Sequence, residues 1–122
     1  MSIRLNQLRT RLLAEQLQLQ QQISDFLVAQ ANPDYQQLLL KLQQLPLPRW
    51  PEVLVHWHTP ELRAPSQRLE AVQAALIQME IGLYGICCDC EARIENERLD
   101  KDPAEQRCKS CERLSTNKAA HS

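Results

Sequence analysis

The sequence predicts a mainly α fold: an antiparallel helical hairpin followed by a small C-terminal module built around cysteines. Three observations point there. Among 122 residues, Leu (20) and Gln (15) dominate while Gly occurs only twice and aromatics make up 4%, a composition that favours long helices over sheet. Apolar residues recur at helical spacing in long stretches on either side of a proline-rich segment,. All five cysteines fall between positions 87 and 111.

The first stretch runs from Leu5 to Gln30. Leu5, Leu8, Leu12, Leu19, Ile23 and Phe26 follow a 3/4 spacing interrupted by Glu15, Leu13, Leu17 and Leu27 widen the stripe, and no Gly or Pro breaks it. This is an amphipathic helix of about 25 residues, long enough for a coiled-coil arm. Asn32-Pro33-Asp34 then supplies an N-cap, a proline at the first helical position and an acidic first turn. A second helix is expected from about Pro33 to Gln44, packing through Tyr35, Leu38, Leu39 and Leu42.

Pro46, Pro48, Pro51, Pro60 and Pro65 punctuate the next twenty residues, a density that argues against a long helix there. Within it, Val53-Leu54-Val55-His56-Trp57 fits either an extended run or one helical turn. Ser66 is expected to cap a further helix in which Leu69, Val72, Leu76, Met79 and Leu83 form a seam suited to an antiparallel partner, the 5–30 helix,. The expected organisation is a helical arm over residues 1–83 with a Pro-rich tip at 45–65, a cysteine finger over 84–114 and a polar, frayed tail over 115–122.

The charge balance narrows the function classes. Net charge is -1. Residues 1–80 carry seven Lys/Arg against seven Asp/Glu and residues 81–122 seven against eight, so neither part has the basic excess that draws a chain onto nucleic acid or an anionic membrane. No apolar run approaches the roughly 20 residues of a membrane span, and the start lacks a signal-peptide apolar core. The expectation is a cytoplasmic protein in a reducing compartment, where clustered cysteines point to a metal before a disulfide framework.

Cys87, Cys90, Cys108 and Cys111 form two C-x2-C pairs separated by 17 residues. Each pair can place two thiolates on one side of a tight loop, and two such loops complete a tetrahedron around one metal ion, with Zn–S near 2.3 Å. Four protein thiolates leave no open position, so a zinc there is structural and not hydrolytic. Iron in a rubredoxin-like site is the chemical alternative. Arg93, Arg98, Arg107 and Lys109 lie near enough in sequence to offset the negative site. Cys88, inside the first pair, is expected to be a free surface thiol.

Gly82-Leu83-Tyr84-Gly85-Ile86-Cys87-x-x-Cys90, followed by Ile94, Arg98-Leu99, Pro103 and Cys108-x-x-Cys111, resembles the DksA/TraR family of C4-type zinc fingers over about residues 82–113. In that family a helical coiled-coil arm precedes the finger and enters the secondary channel of bacterial RNA polymerase, changing promoter-complex lifetimes. The resemblance thus implies a bacterial transcription regulator acting by protein contact. Three departures stand out. The Gly that usually follows the second Cys is Glu91, which is expected to strain the first knuckle. The acidic Asp-x-x-Asp-x-Ala arm tip has no counterpart between Gln44 and Ser66, where Trp50, His56, Trp57 and His58 sit instead. At two finger-flanking positions where the best-known member uses cations toward guanosine tetraphosphate, this chain has Asp102 and Glu112, so binding of that nucleotide is not expected.

The remaining candidates read more plainly. His56 and His58 are expected to be solvated loop residues, and Arg4, Arg9 and Arg11 a solvated helical face. Trp50 and Trp57 form either a small satellite core or an exposed contact pair at the arm tip. Glu95, Glu97, Asp100 and Asp102 resemble paired carboxylates but lie in no apolar run that would raise a pKa, and no enzymatic role is expected. The leading expectation is an RNA-polymerase-binding regulator with one structural zinc. The alternative is a zinc-stabilised protein-interaction adaptor. Sequence-specific DNA binding is not expected from an acidic finger.

Overall fold

The computed structural model describes residues 2–120, with side chains through Ser115. Six α-helices account for most of it, and there is no β-strand among the described residues. They are α1 (Ile3–Ala29), α2 (Pro33–Gln43), α3 (Trp50–Leu54), α4 (Pro60–Ile81), α5 (Asn96–Lys101) and α6 (Lys109–Ala120), with a 3-10 turn at Leu47–Arg49 before α3. The fold is thus mainly helical. The chain divides into two compact units: Leu13–Gln73, and the segment through Leu12 together with that from Ala74 onward.

In the Leu13–Gln73 unit, the buried side chains include Leu19, Ile23 and Leu27 of α1, Leu38 and Leu42 of α2, Trp50 and Leu54 of α3, and Leu62, Leu69 and Val72 of α4. Removing each such side chain from water is worth about 1.5–3 kcal/mol, which fixes the helix faces that the apolar spacing marks. The Glu15 interruption of that spacing has a partner: Arg68 binds its carboxylate with both Nε and Nη2. Leu13 and Leu17, expected to widen the stripe, are exposed. The start of α2 follows the cap signature, with Asn32 Oδ1 accepting the Asp34 N–H at 2.8 Å.

The proline-rich segment departs from expectation. Helix α4 begins at Pro60, and Ser66 lies buried inside it instead of capping it. The Thr59 carbonyl accepts the first backbone bonds, from Leu62 and Arg63. At Pro60 the missing N–H would have had no helical partner anyway, and Pro65 forfeits only one bond near the start of a 22-residue helix,. The Val53–Trp57 run resolves into the end of α3 and a turn. Trp50 is buried, with Nε1 donating to the Leu45 carbonyl at 3.3 Å. Trp57 is half-buried and packs on Tyr35, ring centroids 5.1 Å apart, and Tyr35 meets Phe26 edge-on at 5.9 Å. Trp50 is therefore a core residue and Trp57 a half-buried neighbour of Tyr35, and the two do not form an exposed pair. His56 and His58 are exposed.

In the other unit, Leu8, Leu12, Ala75 and Met79 are buried. Helix α4 ends on Gly82 at φ +78, and the Leu83 N–H reaches back to the Gln78 carbonyl at 2.9 Å, a left-handed helix stop. Leu83, expected to extend the seam, is exposed beyond it. The N-terminal arginines are not merely solvated. Arg4 pairs with Asp100 at 2.7 Å and donates to the Asn96 carbonyl, and Arg11 donates to the Asp100 carbonyl at 2.7 Å. Helix α6 continues through Ala120 into the stretch read as a polar tail, and residues 121–122 lie outside the described residues.

Candidate metal centre

Between Gly82 and α6 the chain has few large apolar groups, and what it buries is gathered in one cluster of Cys87, Ile94, Leu99 and Cys108, with Tyr84 and Cys111 packed against it. The cysteines are thus part of the packing of this region. Gly85, at φ +85, turns the chain into the first pair beneath Leu99. A single antiparallel bridge, Ile86 to Arg93, closes the loop around Cys87 and Cys90, with Cys87 N–H to the Ala92 carbonyl at 2.7 Å and Ile94 N–H to that of Gly85 at 2.8 Å. The second pair lies at the start of α6, where the Glu112 N–H bonds the Cys108 carbonyl, so both thiols sit at the helix end that favours anions.

These two loops bring the Sγ atoms of Cys87, Cys90, Cys108 and Cys111 within 4.8 Å of one another, and Cys90 to Cys108 spans 3.7 Å. A tetrahedron with 2.3 Å metal–sulfur bonds has edges of about 3.8 Å, whereas a disulfide needs about 2.05 Å. The four thiols therefore fit a single metal ion. Among the described residues no other group of three or more Cys, His, Asp or Glu side chains converges in this way.

The electrostatics of the cluster favour deprotonation of one sulfur, that of Cys87, and oppose it at Cys90 and Cys111. The Cys108 N–H, with those of Cys90 and Asp89, is directed at the Cys87 sulfur and outweighs burial, lowering that thiol to about 6. At Cys90 the Ala92 N–H lowers the thiol, but hydrogen bonding with the Cys87 and Cys108 sulfurs together with burial outweighs it, and the net direction is upward. Cys111 is pushed up strongly because it shares protons with the Cys90 and Cys108 sulfurs. Four thiols this close cannot all ionise without a cation. A divalent ion held by these four residues would take the place of the shared protons, so its uptake would release protons and weaken as pH falls.

Around the sulfurs, several of the nearby charges are engaged. Arg107 holds Asp89 at 2.7 Å and reaches Glu112 at 3.8 Å, so the Arg107 charge expected to offset the thiolates is shared with carboxylates. Arg98 pairs with Glu105 and donates to the Arg107 carbonyl. Asp102 Oδ1 accepts the Ala104 N–H. Cys88 is exposed outside the cluster, its thiol raised by burial and by Asp89, and its N–H is fixed to the Gln106 carbonyl at 2.8 Å. Glu91 takes the left-handed φ of +63 at the position singled out for strain.

The sequence reading missed the residues that hold this region from a distance. Glu95 caps α6, Gln106 bonds the Gln78 side chain at 2.9 Å, and Tyr84 donates its hydroxyl to the Pro103 carbonyl at 2.7 Å. No local motif marks these contacts; only the Glu and Gln side chains themselves hint at them. The Glu95, Asp100 and Asp102 carboxylates are likewise committed to backbone caps or to Arg4.

No model of a known protein family, no curated protein and no solved structure matches the chain.

Proposed function

We propose that this chain is a zinc-stabilised regulator of the DksA/TraR type that binds bacterial RNA polymerase through a helical arm. The observation that carries the reading is the convergence of the four sulfurs of Cys87, Cys90, Cys108 and Cys111 within 4.8 Å, on a segment whose Gly, Tyr, Ile, Arg and Pro positions resemble that family's finger. In this reading α1 and α4 are the two antiparallel legs of the arm, supported by the Arg68–Glu15 contact between residues 53 positions apart. Zinc is the proposed occupant because four thiolates offer a closed, soft, tetrahedral donor set, and its role is to hold the finger folded. The working compartment is the reducing cytoplasm.

A second reading, a protein-interaction adaptor, is favoured by the tip. Residues 45–65 bury Trp50 and carry no Asp-x-x-Asp-x-Ala run. No helix of the described residues is long and apolar enough to cross a membrane, which suits either reading. The discriminating experiment mixes the zinc-loaded protein with purified bacterial RNA polymerase and measures binding together with promoter-complex lifetime. Saturable binding with an altered lifetime supports the regulator. Absence of binding leaves the adaptor. In the regulator reading guanosine tetraphosphate adds no effect, because Asp102 and Glu112 stand where cations would be needed and Arg98 is committed to Glu105,.

A further inference from the structure

Away from the sulfurs, the unit containing the cysteine cluster has a half-open pocket of about 240 Å³, with the exposed Arg93 at its edge. Leu5 and Leu8 of α1, with Ile94 and Leu99 of the finger, give it an apolar wall, and Arg4 and Arg93 line its polar side. Charge accounting separates the two arginines. Arg4 is neutralised by Asp100 at 2.7 Å. Arg11, Arg98 and Arg107 are also occupied, the first with the Asp100 carbonyl and the others with carboxylates. Arg93 has no carboxylate within reach among the described residues, and its side chain makes no hydrogen bond there. The cavity is therefore apolar on one side and carries about one uncompensated positive charge on the other.

We infer that this cavity binds a small monocarboxylate with a short apolar body, its carboxylate on the Arg93 guanidinium and its body against Leu5, Leu8, Ile94 and Leu99. The size fits: the space equals about eight water molecules at roughly 30 Å³ each, which suits a molecule of benzoate or hexanoate dimensions. The charge fits as well, since a guanidinium forks onto a carboxylate through two parallel bonds. A phosphate dianion would bring a second charge that the Arg4–Asp100 pair does not balance. An apolar alcohol would fill the wall and leave the cation unmet. This inference is independent of the polymerase reading, because its site shares no residue with the metal ligands or the proposed arm tip.

The test uses the full zinc-loaded chain and two-dimensional amide NMR, with benzoate and hexanoate as probes and inorganic phosphate and benzyl alcohol as comparators. A carboxylate probe should shift the amides of Leu5, Arg93 and Ile94 saturably, with a dissociation constant in the millimolar range appropriate to so small a ligand. Phosphate and the alcohol should bind at least about tenfold more weakly. Arg93→Gln should weaken the carboxylate by about tenfold or more, the loss of a charged hydrogen-bond pair, with zinc content unchanged. Arg113→Gln should leave binding as it is. Absence of saturable shifts, phosphate binding as well as carboxylate, or an Arg93→Gln variant that binds like the parent would each overturn the inference.

Discussion

The carboxylate of Glu95 accepts the backbone N–H of Lys109 through both oxygens, at 2.9 and 3.1 Å. That contact ties the chain between the two cysteine pairs to the first residue of the helix that presents Cys111. The Lys109 N–H also holds the Glu95 carboxyl below its ordinary value, so the bond favours the ionised form. Such a cap should fix the second C-x2-C pair before metal arrives. After loading with zinc, Glu95→Ala should therefore lose the ion to a competing chelator at a lower chelator concentration than the parent does, and Glu95→Gln, which keeps one acceptor, should fall between them. Equal retention in all three would show that the cap is decorative.

Glu91 is the one non-glycine residue at positive φ among the described residues, at +63°. A side chain costs roughly 1–2 kcal/mol in the left-handed region, and glycine recovers that less its larger unfolded-state entropy of about 0.4–1 kcal/mol. Glu91→Gly should thus stabilise the first knuckle by up to about 1.6 kcal/mol. A higher melting temperature of the zinc-loaded protein, with unchanged helical content, is the expected result, and Glu91→Ala should give no such gain.

The sulfur geometry separates Cys88 from its neighbours. Cys88 is exposed outside the cluster, while Cys90 lies 3.7 Å from Cys108 across it. Elemental analysis of Cys88→Ser should find one metal ion per chain, as in the parent, and Cys90→Ser should find a deficit. Chelation should unfold the finger, whose small core consists largely of ligand cysteines,. Most of the far-UV helical signal should remain, because α1, α2 and α4 bury their own leucines.

Much of this was legible in the residues, for physical reasons. Apolar spacing reports which side chains leave water, so Leu8, Leu12, Leu19, Ile23, Leu38, Leu42, Leu69, Val72 and Met79 are buried as the pattern requires. The cap at Asn32 was readable because donor and acceptor are two residues apart. The start of α4 was not, because a proline count ignores position: Pro60 sits where a missing N–H costs nothing. Nor could Arg4 and Arg11 be told from solvated cations, since their partners lie 89 to 96 positions away. The four ligand candidates were visible by spacing alone, whereas Glu95 and Gln106, which hold them, act across the fold and leave no local trace.

Tyr84 gives the finger a pH signature at the alkaline end. Burial raises its phenol from 10.0 to about 12, while the same group ionises near 10 once unfolded. The folded state therefore retains the proton longer, so this contribution to stability is complete below pH 10 and is lost as pH rises from about 10 to about 12,. Comparing denaturant midpoints across that range, the parent should lose stability more steeply than Tyr84→Phe. Below it, the variant should be less stable by about 1 kcal/mol, the bond to the Pro103 carbonyl being lost,.

Glu15 places a carboxylate in an otherwise apolar stripe. Arg68 explains its tolerance: the guanidinium binds it through Nε and Nη2, the latter at 2.8 Å, with the two side chains 33% and 30% exposed. A bidentate pair at this depth lies above the usual 0–1 kcal/mol of surface ion pairs only modestly, because partial solvation screens it. A double-mutant cycle with Glu15→Ala and Arg68→Ala should accordingly return a coupling of about 1 kcal/mol. Removing Arg68 alone takes away the guanidinium that meets the Glu15 carboxylate, so the two single variants together should cost more than the double variant. Replacing both with leucine restores the 3/4 stripe and should be neutral or stabilising. If the cycle gives no coupling, the pair does not join the two helices energetically.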